Sequence, residues 1–219
     1  EAAVARKGAA AAILVDLKAF YDHLDYDALV RRADEAGFPR KLTRLALRSY
    51  AGKRRIVEKG RTTESFHTKR GIVAGCGLAT TWVKVYCKQP LDDFKRRHPK
   101  VRLDAYIDDF TLSANGGTEQ EIEELLVAAA IDLNKVIEQE LMCRVALDKS
   151  AVVGSSDKLA DRIASRLGCM GVVPKRSTTN LGVDFSAGRA RGRAGNKHLK
   201  RTKRFAMGLA RIARLRKLR

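Results

Sequence analysis

Val101-Arg102-Leu103-Asp104-Ala105-Tyr106-Ile107-Asp108-Asp109-Phe110-Thr111-Leu112-Ser113 places short apolar runs on either side of two adjacent carboxylates. Val101, Leu103, Ala105 and Ile107 alternate with Arg102, Asp104 and Tyr106, the period-two pattern of a half-buried strand. A strand pattern restarts at Phe110, so the stretch predicts a hairpin with Asp108 and Asp109 exposed at its tip. Anions held this close repel each other, and a divalent cation relieves the repulsion. Asp-Asp is also an ordinary turn dipeptide. The same chain carries Asp92-Asp93 in a helical pattern ahead of Lys95-Arg96-Arg97, where it reads as a solvated helix face. What separates the two pairs is a further carboxylate, Asp16, which closes the continuous apolar run 9–15, read as a buried strand. If the two strands are neighbours, Asp16, Asp108 and Asp109 converge at one edge of a sheet. That arrangement suits a pair of Mg²⁺ ions about 3.5–4 Å apart.

The chain has 219 residues and 45% hydrophobic content, enough for one sizeable core. No apolar run is long enough to span a membrane and the first residues lack signal-peptide architecture, so an intracellular protein is expected. Cys76, Cys87, Cys143 and Cys169 form no CxxC or Cys/His cluster, which argues against zinc and for a reducing compartment. The net charge of +19 implies a polyanionic partner, either nucleic acid or an anionic membrane surface. No acidic residue follows Asp184, and residues 188–219 are dense in Lys and Arg. They read as a phosphate-binding segment or a solubilising tail. Basic clusters of this kind also suit a nuclear location.

Around the two carboxylate stretches, the pattern predicts a helix from Asp25 or Asp27 to residue 36, stopped by Gly37. A second helix begins at Pro39, with Leu42, Leu45, Ala46 and Ser49 on one face. A polar hairpin turns at Lys59-Gly60. A glycine-punctuated loop, 69–80, leads into a helix over about 78–97. Thr118 and Glu121 form a capping box that opens an amphipathic helix. Residues 144–147 and 151–153 read as a hairpin turning at Asp148-Lys149-Ser150. Residues 156–167 read as a helix, 181–185 as a short strand and 197–218 as a basic helix. The expected fold class is α+β: an antiparallel sheet with helices on one face and a basic C-terminal helix.

These residues resemble the reverse transcriptases. Asp16-Leu17-Lys18-Ala19-Phe20-Tyr21-Asp22-His23-Leu24-Asp25 is similar to motif A, most of all that of the group II intron and non-LTR retrotransposon branch. Arg70-Gly71-Ile72-Val73-Ala74-Gly75-Cys76-Gly77-Leu78-Ala79 is similar to motif B, and Tyr106-Ile107-Asp108-Asp109 reads as motif C. Leu147-Asp148-Lys149-Ser150 resembles motif D and Asn180-Leu181-Gly182-Val183 motif E. The resemblance covers residues 10–185 and implies a polymerase palm over 1–187, followed over 188–219 by a basic linker and helix that starts or survives from a thumb. It implies RNA-directed DNA synthesis on a primer 3′-OH, with an RNA template, a DNA primer and dNTPs as partners. Two Mg²⁺ ions would be the cofactors, with Mn²⁺ as a substitute. Asp16, Asp108 and Asp109 would be the catalytic, metal-binding carboxylates and the Leu17 carbonyl a further ligand. Tyr21 would be the steric gate against a ribose 2′-OH, or else a core aromatic beside Phe20. Gly75 would let the backbone approach the nucleotide. Lys149 would sit near the triphosphate, or else be a solvated turn lysine. Leu181 and Gly182 would form the primer grip, or a plain strand residue and bulge. His23 is expected to have no chemical role.

The sequence departs from the family in two places. In motif B, Ala74, Gly77 and Ala79 stand where the family has Gln, Pro and Ser. The segment before Asp16 is too short to hold the fingers, so the chain reads as a palm-centred part of a larger retroelement protein or as a truncated descendant of one. These departures keep open a second class of function: a palm-derived nucleic-acid-binding fragment with impaired catalysis. Other palm-type nucleotidyl transferases fit less well. RNA-templated RNA polymerases have Gly-Asp-Asp in motif C, and cyclic-dinucleotide synthases need a Gly-Gly-(Asp/Glu)-Glu-Phe turn that is absent from the sequence.

Overall fold

A computed structural model describes residues 8–180 and 183–186. The elements run β1 (Ala10–Asp16), α1 (Phe20–His23), α2 (Tyr26–Glu35), α3 (Arg40–Tyr50), β2 (Val57–Glu58), β3 (Arg61–Thr62), α4 (Ala79–Arg97), β4 (Arg102–Tyr106), β5 (Asp109–Asn115) and α5 (Glu119–Lys135). A π-helical turn (Val136–Glu140), β6 (Ala151–Gly154), α6 (Asp157–Arg166), a 3₁₀ turn (Gly168–Met170), β7 (Val173–Pro174), β8 (Ser177–Asn180) and β9 (Val183–Ser186) follow.

β1 is the centre of a five-stranded sheet in the order β4-β5-β1-β6-β7. It lies antiparallel to both β5 and β6, and β4 lies antiparallel to β5; the β6–β7 pair is parallel. β1 is covered on both faces, which accounts for its unbroken apolar run. Ala11, Ile13 and Val15 on one face are buried, and so are Ala12 and Leu14 on the other. Phe110, Leu112 and Ala114 of β5 and Leu103 of β4 extend the inner face. Helices α5 and α6 pack against β1, β5 and β6. Leu112, Phe94 and Trp82 have no exposed surface. Truncating one such residue to Ala costs about 2–5 kcal/mol. The expected α+β class with a mainly antiparallel sheet is the fold that forms.

Local signals place the helix ends. The Asp25 side chain accepts from the Ala28 N–H at 3.0 Å, which starts α2 one residue later. Thr118 and Glu121 close the capping box of α5, and Ser156 caps α6. A buried cation ties the helical layer together. Arg32 of α2 is 6% exposed, donates to the carbonyls of Tyr86 (2.7 Å) and Glu140 (2.6 Å), and stacks over the Tyr86 ring at 4.4 Å.

Two expectations are corrected. Residues 144–150 form no hairpin with β6, because β1 and β7 take both edges of that strand. They run instead beside the segment that follows β1, bridged at Leu17–Val145. On α3, Leu42 and Leu45 do share a face, but it points to solvent, with 42% and 68% of each exposed. The inward side carries Thr43, Ala46, Leu47 and Tyr50. The basic segment 188–219 lies outside the described residues, as do Leu181 and Gly182, which β8 and β9 flank.

Candidate active site

Asp16 is the last residue of β1 and pairs in register with Asp109, the first residue of β5, which pairs in turn with Tyr106. Ile107 and Asp108 alone are left to make the turn. The expected tip is therefore shifted by one residue: Asp109 belongs to the ladder, and both carboxylates are half-buried rather than exposed. Ile107 takes φ +57°, a conformation that hairpin turns usually give to glycine. For a β-branched residue this costs on the order of 1–3 kcal/mol and persists only where the surroundings enforce it. Here the Asp108 carbonyl accepts from the Leu17 N–H at 3.0 Å, tying the tip to the end of β1.

Carboxylates so arranged oppose one another's ionisation. The Asp109 pKa is raised, first by burial and then by the negative charges of Asp108 and Asp16, while Lys149 offsets part of the rise. Lys149 reaches Asp16 directly, Nζ to Oδ2 at 2.9 Å. The strap 144–150 brings it there: Lys18 N–H donates to Arg144 O and Ala146 N–H to Asp16 O, both at 2.8 Å. At the end of the strap, Ser150 is fully buried and its hydroxyl donates to Ala146 O at 3.2 Å. Lys149 is therefore an exposed lysine whose ammonium, raised in pKa by the Asp16 carboxylate, rests on the site.

Phe20 and Tyr21 part ways. Phe20 is 2% exposed in the core, while Tyr21 is half-buried. The Tyr21 phenol is held up in pKa by burial first, then by Asp108 and Tyr106 of the hairpin. The motif B segment is fastened to the same turn: Ile72 N–H donates to Tyr21 O (2.9 Å) and Gly71 N–H to Leu24 O (2.8 Å). Gly71 has φ +95°, and a Cβ there would meet Asp22 O at 3.3 Å, so this approach excludes a side chain. Tyr26 of α2 clamps it from behind, its hydroxyl donating to Gly71 O at 2.8 Å. Gly75 is different. A Cβ there would meet nothing within 4 Å, so the fold does not require glycine at this position.

Among the described residues, no cluster of three or more His, Cys, Asp or Glu side chains is drawn together tightly enough to cage a metal. The donor set still suits Mg²⁺, which is commonly held by one or two carboxylates together with substrate phosphates. Asp16 and Asp109 supply register-paired carboxylates whose mutual repulsion a cation relieves, and Lys149 already places one positive charge on Asp16.

The sequence reading missed Tyr106 as a member of the site. Its place followed from the two-residue turn, which sets Tyr106 opposite Asp109. It also missed that Arg70 bridges back to Asp25, which lays motif B against motif A.

Comparison with known proteins agrees with this architecture. The chain resembles three solved telomerase structures from Candida tropicalis. The apo enzyme truncated from its C-terminal domain aligns with TM-score 0.57 at 12% identity, over 82% of this chain and 34% of that one. The enzyme in complex with a TWJ fragment of telomeric RNA aligns at 0.59 and 13%, over 81% and 28%. A second apo structure aligns at 0.58 and 14%, over 81% and 31%. The chain thus spans about a third of each of these structures. No curated protein sequence matches it significantly. A sequence model described as "Reverse transcriptase (RNA-dependent DNA polymerase)" matches residues 1–185, and with most of its length so covered the chain belongs to the reverse transcriptase family.

Proposed function

We propose that the chain is the palm of an RNA-directed DNA polymerase of the retroelement type, transferring a nucleotide to a primer 3′-OH on an RNA template. The observation that carries this reading is the Asp16–Asp109 rung, with Asp108 at the adjoining tip. Asp16, Asp108 and Asp109 would hold Mg²⁺, which supplies Lewis-acid stabilisation of charge on the phosphoryl oxygens and the leaving group. The Asp108 backbone is tied to Leu17, which holds the hairpin tip against the end of β1. Tyr21 would meet the sugar of an incoming nucleotide. Lys149 would exchange its pairing with Asp16 for the triphosphate and donate a proton to departing pyrophosphate. Gly75, free of any packing need, leaves room for base and sugar against the backbone. The net charge of +19 suits a primer–template duplex. The telomeric RNA bound in one structural neighbour supports RNA as the template class.

A specific observation favours the second reading, an impaired nucleic-acid-binding palm. Ala74 and Ala79 stand where motif B elsewhere has Gln and Ser, so two polar side chains are missing, and Gly77 stands where it has Pro. Primer extension on an RNA template with dNTPs and Mg²⁺, run beside Asp108→Ala, separates the two. Extension that vanishes in the mutant supports polymerisation; salt-sensitive binding without extension supports the binding module.

A further inference from the structure

We infer that the chain carries a second nucleic-acid surface, the outward face of α3 together with the β2–β3 ribbon, which grips double-helical RNA by its phosphates. The inference rests on the proposed reading only in taking RNA as a partner; it does not require polymerisation. Residues 41–70 hold ten Lys and Arg against two acids, Glu58 and Glu64, and all ten cations are exposed. None of the ion pairs formed among the described residues includes a residue of this stretch. By contrast, Lys88, Arg96 and Arg97 of α4 and Arg162 and Arg166 of α6 each pair with a carboxylate. Like charges left unneutralised at this density repel, and a polyanion relieves the repulsion while shedding its own counterions.

The fold gathers these charges into one surface. Lys41, Arg44 and Arg48 share the outward face of α3, about 4.5 and 6 Å apart along its axis. A row of this kind suits a chain of phosphates better than a single anion. The base of the ribbon is pinned to the C-terminal end of α3. The Arg54 guanidinium and the Thr68 hydroxyl both donate to Tyr50 O, at 2.9 and 3.0 Å, and His67 Nδ1 lies 3.0 Å from Ala51 O. Lys59 and Gly60, at φ +49° and +78°, make the tight turn at the tip, with Glu58 opposite Arg61. Every residue from 53 to 67 is exposed, so the ribbon has no core of its own. Two strands alone are marginally stable in water, and this ribbon gains by lying along a partner. Phosphates rather than bases are the target: Phe66 is the one exposed Phe, Tyr or Trp of the stretch, whereas single-strand binding stacks successive bases on aromatic rings. RNA is the duplex because the family is one of RNA-dependent polymerases, and Thr62 and Ser65 of the ribbon segment offer exposed hydroxyls to the ribose 2′-OH.

The test is binding of the full chain to an RNA dumbbell, a duplex closed by a loop at each end so that no 3′ terminus can enter the active site. Fluorescence anisotropy follows its affinity against salt, in EDTA and without nucleotides. The triple variants Lys41→Gln/Arg44→Gln/Arg48→Gln and Arg55→Gln/Lys59→Gln/Arg61→Gln, checked for folding by circular dichroism, should each flatten the log–log slope by about 2–3, close to one per phosphate-contacting cation. The same charge removed at Lys100, Lys135 and Lys158 should change the slope by less than about 1. A slope unmoved in the folded triple variants overturns the inference, as does an equal fall in the Lys100, Lys135 and Lys158 control. A DNA dumbbell bound as tightly as the RNA, or a loss confined to binding of phosphatidylserine vesicles, overturns it too. Primer extension by the parent chain is read separately: its failure beside dumbbell binding that the triple variants weaken strikes the polymerase reading and leaves this surface standing.

Discussion

The chain writes Asp-Asp twice, and the two copies lead different lives. Asp92 and Asp93 lie on α4, where Asp92 pairs with Lys88 at 2.7 Å and Asp93 with Arg96, one and the same helix supplying each partner. Asp108 and Asp109 lie where two strands end, and Asp109 feels the carboxylates of Asp108 and Asp16, with Lys149 opposing them from its pairing with Asp16. A dipeptide on a helix finds its counter-charges three or four residues away. At a strand end the neighbours come from other parts of the chain, and they can be of like sign. The chemical potential of the second pair therefore lies in convergence, not in composition.

The sharpest way to break this contrast is catalytic. Asp16→Asn or Asp108→Ala should lower primer extension by roughly three orders of magnitude, the scale of several kcal/mol of lost electrostatic stabilisation. Retained extension in either would remove Asp16 and Asp108 from the chemistry. Gly75→Ala should leave the melting temperature unchanged, since the added methyl meets nothing, yet lower kcat/KM for nucleotide about tenfold if that space belongs to the substrate. A change in stability with no change in KM would reassign Gly75 to the fold.

Lys149→Met removes the cation that rests on Asp16. Without divalent ions its melting temperature should fall below that of the parent. With Mg²⁺ the ligand-induced rise should be larger, because the metal no longer competes with an ammonium. Calorimetry with and without Mg²⁺ checks both parts, and equal rises in the two proteins would show that Lys149 and the metal do not share a site.

Asp109 gives a pH test of the same cluster. Its pKa is raised in the folded state by burial and by Asp108 and Asp16. The folded protein then holds this proton more tightly than the unfolded chain, so this residue favours folding at low pH and its ionisation weakens the fold as pH rises through the folded pKa. Asp109→Asn should therefore raise the melting temperature at pH 7 by about 1–2 °C. The gain should shrink as pH falls toward the ordinary Asp value of about 4. A gain that stays constant with pH would mean that repulsion is not its source. At the small end, Asp92→Ala and Asp93→Ala should each change stability by less than about 0.5 kcal/mol, the worth of an exposed ion pair, and leave extension untouched.

Much of the site was legible beforehand because its signals are local. The apolar run closing on Asp16, the alternation around Asp108-Asp109, the capping box at Thr118 and the Lys59-Gly60 turn are written within a few residues each, and each forms. The misreadings all turn on partners. Residues 144–150 carry a hairpin's alternation, but β6 had no free edge for them, so they became the strap that delivers Lys149 to Asp16. The apolar stripe of α3 is regular, yet nothing among the described residues covers Leu45.

By itself, the sequence determined the type of the longer elements among the described residues, the strand-terminal placement of Asp16 and the pairing of the hairpin. Short-range sterics and hydrophobic periodicity set all three. Only the tertiary structure decided that Asp16 faces Asp109 across one rung and that Asp109 lies in the ladder rather than the turn. It alone sent Phe20 into the core and left its neighbour Tyr21 half-buried. These are relations between residues far apart in the chain. They are fixed by which edges and faces remain free once the sheet has closed around β1, a competition that no local pattern encodes.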